Sequence, residues 1–254
     1  MSSTLLQLVQ DVASSMDSDE VTSINDSTES LQIATVVKTT YFDIINRLKL
    51  PRHYTVFNLQ ATSATTPVVM TLPTDVNNVE WLKYDYHTLI NTDVNYQDVK
   101  FLPIREFLAL VNRFRVDSVH VASMSFTPDL GNSFTFYYSN NIAPQYYTSV
   151  DDVNFIFDSY DLTVDAFLTS SKSMAFGQKK ITWNMSDGFT PDLDEVHFPL
   201  LLNEAKALAW TELKQTQHPK AEQSARRHWI HAQKAKYAID NLSDFNKFPN
   251  YGRR

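Results

Sequence analysis

Four groups of residues in this chain could do chemistry. His228-x-x-His231 places two imidazoles one turn apart, with His218 a short way upstream, and imidazole pairs of that kind can hold a metal. A metal site needs a third ligand and a second shell, and zinc peptidases need HExxH spacing. Neither is visible, so surface or interface histidines are the plainer reading. The acids gather twice, as Asp151, Asp152, Asp158, Asp161 and Asp165, and as Asp187, Asp192, Asp194 and Glu195. Two carboxylates facing each other across a cleft would suit glycoside hydrolysis. Acids in turns, or just ahead of a helix N-terminus, explain both groups without catalysis. Phe134, Phe136, Tyr137, Tyr138, Tyr146, Tyr147, Phe155 and Phe157 could line a glycan- or protein-binding strip, though strand core is the simpler assignment. Finally, Lys220, Arg227 and Lys234 recur every seven residues and could meet phosphates. No base-reading frame accompanies them, so salt bridges to an acidic surface explain the stripe better.

What the chain lacks narrows the classes further. It has no cysteine, which excludes disulfides, thiol nucleophiles and thiolate metal sites. Its four glycines, Gly131, Gly177, Gly188 and Gly252, stand too far apart for a phosphate loop, a dinucleotide fingerprint or a nucleophile elbow. No apolar run reaches the roughly 18–20 residues of a membrane span, and the opening MSSTLLQLVQDV has neither the basic region nor the cleavage site of a signal peptide. The net charge of −7 is unevenly spread. Residues 1–30 hold six acids and no base, whereas residues 214–254 hold nine bases against three acids. Ends of opposite sign favour ordered contact, within one subunit or between copies.

The elements that must carry these groups follow from periodicity. Leu5, Leu8, Val9 and Val12 make one stripe of a short helix over Ser3–Ser15. Asp26 and Glu29 predict the capped start of a second helix, with Leu31, Ala34, Val37, Tyr41, Ile44 or Ile45, and Leu48 on one face and Pro51 as its stop. From residue 53 the pattern turns to strands: YTVFNLQ, PVVMTL, VEWLKYDY, SVHVASMSF, SFTFYYSN, DDVNFIFDSY and KKITWNM. A helix over Pro103–Phe114 interrupts them, and Leu162–Phe176 is ambiguous, with a short helix near Val164–Ser171 preferred. Pro199 opens a third long helix with a broad apolar surface, and Pro219 opens a fourth with Ala221, Ala225, Trp229 and Ala232 on its inner face. The expected fold class is α+β: a four-helix bundle built from residues 1–52 and 196–242, with a mostly β domain of residues 53–195 inserted. Residues 243–254 are expected to form an extended tail that needs a partner to order it.

The stretches LLQLVQDVASSMDSDEVTSINDSTESLQIATVVKTTYFDIINRLKLPRHYTVFNL and PDLDEVHFPLLLNEAKALAWTELKQTQHPKAEQSARRHWIHAQKAK resemble the head-to-tail adaptor (connector, tail tubular protein A-like) proteins of short-tailed bacteriophages. SKSMAFG and FTPDLDE stand where a return to the helices is expected. The resemblance implies a structural virion protein in the neck of the particle, assembled in the bacterial cytoplasm. It implies a twelve-subunit ring that joins the portal to a tail tube or nozzle and passes DNA through its channel without reading sequence. Tail fibres or appendages would dock nearby, no membrane would be involved in the resting virion, and no catalysis, cofactor or metal would be needed. On that reading Phe245, Phe248, Tyr251, Arg253 and Arg254 clasp the portal. Lys220, Arg227 and Lys234 meet Asp17, Asp19 and Glu20 of a neighbour, in heterologous contacts that close a ring. A net acidic channel wall would let DNA slide. Two other readings compete: a cell-wall or polysaccharide hydrolase using some of the acids above, and a fibre- or receptor-binding module in which the strands carry the function.

Overall fold

A computed structural model describes residues 3–61, 68–87, 93–113, 119–128, 131–161, 164 and 172–242. The chain divides into two compact units, one of residues 1–50 with 182–254 and one of residues 51–181.

The first unit holds helices α1 (Leu5–Ser15), α2 (Thr28–Leu48), α4 (Phe198–Leu213) and α5 (Pro219–Leu242); α3 (Ile104–Val111) lies in the second. Helix α1 begins at Thr4, whose hydroxyl accepts from the Gln7 amide while Gln7 reaches back to the Thr4 amide. Helix α2 begins one residue later than expected, with Ser27 and Ser30 as the reciprocal cap. Asp26 is unavailable because its carboxylate already accepts from the Thr22 hydroxyl, the Ser23 amide and the Thr22 amide. Those bonds, the Thr22 hydroxyl first, hold its carboxyl below the ordinary value.

The second unit is built on a large curled sheet. Its strands are β1 (Tyr54–Phe57), β2 (Gln60–Ala61), β3 (Val69–Thr71), β4 (Trp81–Asp85), β5 (Tyr96–Phe101), β8 (Tyr146–Ser149), β9 (Asn154–Phe157) and β10 (Ser173–Gln178). Their order is β1-β10-β4-β5-β8-β9-β3-β2, and β6 (Val121–Phe126) with β7 (Phe134–Ser139) forms a separate ribbon. All pairings are antiparallel except β5 with β8, which pairs Lys100 with Tyr146 and Phe101 with Tyr147. A parallel neighbour requires a crossover, and α3 with the β6–β7 ribbon supplies it. Phe107 of α3 is fully buried and meets Phe136 of β7 edge to face, 6.4 Å between centroids. Burial of each such ring stabilises by roughly 1.5–3 kcal/mol.

The expected α+β class, a four-helix bundle carrying an inserted mostly β domain, is corrected by this architecture. The fold is mixed, with five helices, a large curled sheet and a second sheet. The physical reason is visible in the first unit. Helices α1, α2 and α4 pack mutually, but α5 lies mainly along α4 and adds buried alanines, Ala221 and Ala225, in place of a large apolar face. Part of the core around α2 comes from an irregular segment. Trp183 packs on Tyr41 (5.1 Å), Phe42 (6.3 Å) and Phe189 (4.7 Å). The same segment ties down α1, because the Leu5 amide donates to the Phe189 carbonyl at 2.7 Å. KKITWNM is therefore not a strand. Its Trp183 serves the helices, and only Lys179 makes a bridge, to Val76.

Further differences concern single elements. Helix α3 spans Ile104–Val111 within the longer stretch expected. Strands β5 and β8 were not expected: YQDVKF buries Val99 alone, and YYTS is only four residues long. The segment left ambiguous contains β10 at Ser173–Gln178, and residues 165–171, where a helix is preferred from sequence, lie outside the described residues. Among the described residues no helix is long and apolar enough to cross a membrane.

Candidate functional site

Two surfaces of the helical unit carry opposite charge. The first is the turn between α1 and α2. Asp17, Asp19 and Glu20 are exposed there, and Asp17 adopts a left-handed φ of 56° just after the C-cap of α1. They line a concavity of about 420 Å³ together with Gln10 and Ser14, and Asp19 and Glu20 also border a neighbouring one of about 290 Å³. The turn is braced from within. Gln10 Nε2 donates to the Val21 carbonyl at 2.8 Å, and the Ser18 hydroxyl to Glu29 Oε1 at 2.8 Å. Asp187 Oδ1 accepts from the Ile24 amide at 2.9 Å.

The second surface is α5. Lys220, Arg227 and Lys234 are all exposed, on a face offset from the buried Ala221 and Ala225. Fourteen residues of helix give the stripe a length of about 21 Å. Neither the stripe nor Asp17, Asp19 and Glu20 has an ion-pair partner among the described residues, and no residue of α5 lines either acidic concavity. Helix α5 itself is firmly seated. His218 Nδ1 accepts from the Ala221 amide at 3.0 Å and so caps its first turn, with the imidazole 5.1 Å from the Trp210 ring. Further along, Trp229 hydrogen-bonds Glu204 of α4 and lies under the Arg47 guanidinium of α2, 5.4 Å from the ring centroid. Lys214 and Glu29 form an exposed ion pair at 3.5 Å. The residues Phe245, Phe248, Tyr251, Arg253 and Arg254 lie outside the described residues.

The strand unit treats its charges differently. Asp158 is buried, and its Oδ1 accepts from the Gln145 amide, the Tyr146 amide and the Ser159 hydroxyl at 3.1, 3.1 and 3.3 Å. Burial pushes its carboxyl above the ordinary value despite those bonds. Asp85 is buried beside His87, whose ring Nδ1 contacts it directly. Burial acts to raise the Asp85 carboxyl, but bonds from the Asn95 and His87 amides and from the imidazole outweigh it and hold the value low. Both groups tie loops to the sheet. Asp151 closes the β8–β9 turn by accepting from the Val153 and Asn154 amides at 3.1 and 2.7 Å.

No family model matches this chain, and no curated protein matches it.

The two groups of acids fall in different units, and Asp165 lies outside the described residues. Among the described residues no three His or acidic groups are arranged to hold a metal. Of the eight aromatics singled out from sequence, Phe136, Tyr138, Tyr147, Phe155 and Phe157 are buried. A ring ladder that sequence did not reveal crosses the sheet: Tyr54 stacks on Phe176 at 5.5 Å and Phe176 on Trp81 at 5.6 Å. Its rings cover one another, and Lys83 Nζ lies over Trp81 at 5.7 Å, so the ladder is packing.

One feature of the strand unit stays open. A groove of about 600 Å³ is lined by Phe101, Tyr147 and Phe155 with Asn77, Asn78, Glu80 and Asp152. Phe101 is 54% exposed, the most open ring on this unit's described surface. Residues 77–80 are pinned to β10. The Asn77 amide donates to the Gln178 carbonyl at 2.8 Å, and the Gln178 amide to Asn78 Oδ1 at 3.1 Å. Gly177 permits this approach, since a Cβ there would stand 1.9 Å from the Asn78 carbonyl oxygen. The sequence signal for the groove is slight: one phenylalanine ending a polar strand and an Asn-Asn pair in a turn.

Proposed function

We infer that the chain is a ring-forming structural subunit of a short-tailed phage particle, seated between the portal and the tail tube or nozzle. The observation that carries this reading is the pair of separate, oppositely charged surfaces on the helical unit, unpaired among the described residues. Unlike surfaces on one subunit match head to tail with the next copy, and such contacts either close into a ring or run on as a filament. An acidic concavity facing a 21 Å basic stripe (a length of about fourteen helical residues) also steers encounter and rejects wrong registers. The resemblance of the two terminal stretches to head-to-tail adaptors supplies the closed ring of twelve, the portal as the partner and the virion neck as the location. The reading includes no catalytic step.

Mass measurement and particle imaging of the chain, with and without a portal ring, test it. The expected result is a closed ring on the portal. Replacing Lys220, Arg227 and Lys234 together by Glu should abolish ring assembly. Mixing that variant with one carrying Lys at Asp17, Asp19 and Glu20 should restore mixed contacts. Failure to bind any portal ring, or assembly indifferent to both charge reversals, would overturn the reading.

A further inference from the structure

We propose that the groove lined by Phe101, Asn77, Asn78 and Asp152 is a binding site for a neutral hexopyranose chain. This groove lies wholly within the strand unit and is independent of ring assembly.

Sugar rings present two kinds of surface, an apolar C–H face and a rim of hydroxyls. A complementary site sets an exposed aromatic ring against the first and offers amides and carboxylates to the second. The groove supplies both. Phe101 stands open, backed at 5.5 Å by Tyr147, which in turn meets Phe155 at 5.7 Å. The Asn77 side chain and the Asn78 Nδ2 are not engaged by other described residues, so they retain donors for hydroxyl oxygens. Asp152 is exposed at a left-handed φ of 58° and offers two acceptor oxygens. Its neighbour Asp151 holds the turn, which leaves Asp152 free of that task.

The site is also pre-organised, which lowers the ordering cost of a weak ligand. Its Asn wall is fixed by Gly177 and the bonds to Gln178, and its aromatic side belongs to two paired strands. Other occupants fit less well. An extended peptide binds a sheet by adding to a free edge, and β5 pairs with β4 over residues 96–99 and with β8 at residues 100 and 101, which leaves too short an open edge beside Phe101 to add a strand. Nucleic acid needs cations, and no Lys or Arg lines the groove. A volume of about 600 Å³ is within the ordinary range for small-ligand clefts.

The test uses the full chain with chitotetraose, cellotetraose and maltotetraose as probes, read by calorimetry and saturation-transfer NMR. Saturable binding of at least one probe is expected, with a dissociation constant on the order of 1 mM. Phe101→Ala should weaken it by roughly tenfold or more, and Asn77→Ala by several-fold, with melting temperatures unchanged. Gly177→Ala, which displaces the Asn wall without removing any lining side chain, should weaken it too. Three results would overturn the proposal: no saturable binding of any probe up to about 20 mM, binding unaffected by Phe101→Ala and Asn77→Ala, or a tetra-arginine peptide occupying the groove in preference to every sugar.

Discussion

The strand unit buries two carboxylates, whereas the helical unit, among the described residues, buries none. In the helical unit, Asp17, Asp19, Glu20, Lys220, Arg227 and Lys234 are held out to solvent without ion-pair partners among the described residues. In the strand unit, Asp85 and Asp158 are buried, and their bonds from the Asn95, Gln145 and Tyr146 amides close loops onto the sheet. Exposed charges contribute little to stability and much to choosing a partner. Buried ones are costly unless satisfied, and then they fix one geometry. The difference separates a unit whose surface is suited to neighbours from one whose interior is suited to holding loops in place. The open groove among those loops follows from the second property.

Core truncation gives the strongest test of the division. Phe136→Ala should cost about 3–5 kcal/mol in the strand unit, and Trp183→Ala, which truncates a partly buried ring, a smaller amount in the helical unit. Calorimetry combined with proteolytic mapping should find each loss confined to its own unit. If either variant melts both units together, the two units do not fold separately.

A smaller effect is expected at Asp158. Asp158→Ala leaves the Gln145 and Tyr146 amides without their acceptor, at a cost of about 2–4 kcal/mol. Asp158→Asn retains an acceptor oxygen and removes a buried charge, so it should be close to neutral. The pH dependence has a definite sign. Because the carboxyl is raised in the folded state, its contribution is full below the unfolded value and is lost as pH rises through the folded one. Denaturant midpoints across that acidic window should fall less steeply for Asp158→Asn than for the parent chain. A steeper fall would show that the carboxylate stabilises the fold.

The smallest effect belongs to the cap of α5. His218→Ala removes the acceptor for the Ala221 amide and should cost about 1 kcal/mol, while His218→Asn should restore most of it. Urea melts followed by helix circular dichroism would show this. A loss much larger than a cap is worth would mean that the contact with Trp210 matters more than the hydrogen bond.

Helices were legible wherever an apolar stripe met a proline or a capping side chain. Pro199 and Pro219 mark the starts of α4 and α5 to within a residue. Strands were legible where aromatic and β-branched residues cluster between polar turns, as in β7 (FTFYYS) and β9 (NFIF), and not in β10, whose burial alternates strictly but whose residues, SMAFGQ, carry little strand preference. They were not legible in β5, where Val99 is the only buried residue, because a strand held by its neighbours' backbones needs no apolar pattern of its own. The reverse error occurred at KKITWNM, whose β-forming residues serve a helix core. The expected bundle failed for a related reason. A stripe reports that a face is buried but not what buries it, and around Tyr41 the answer includes Trp183 from an irregular segment.

The same distinction runs through the functional surfaces. The amino-acid sequence by itself determined the charge asymmetry of the two ends, the seven-residue spacing of the basic stripe and the absence of thiol and glycine-loop chemistry, because these are properties of composition and helical period. Only the tertiary structure decided which charges are spent internally, which stand free, and that Phe101, Asn77, Asn78 and Asp152 share one groove. Those residues are brought together by strand pairing and by the close approach that Gly177 allows, and long-range pairing leaves no trace in local spacing.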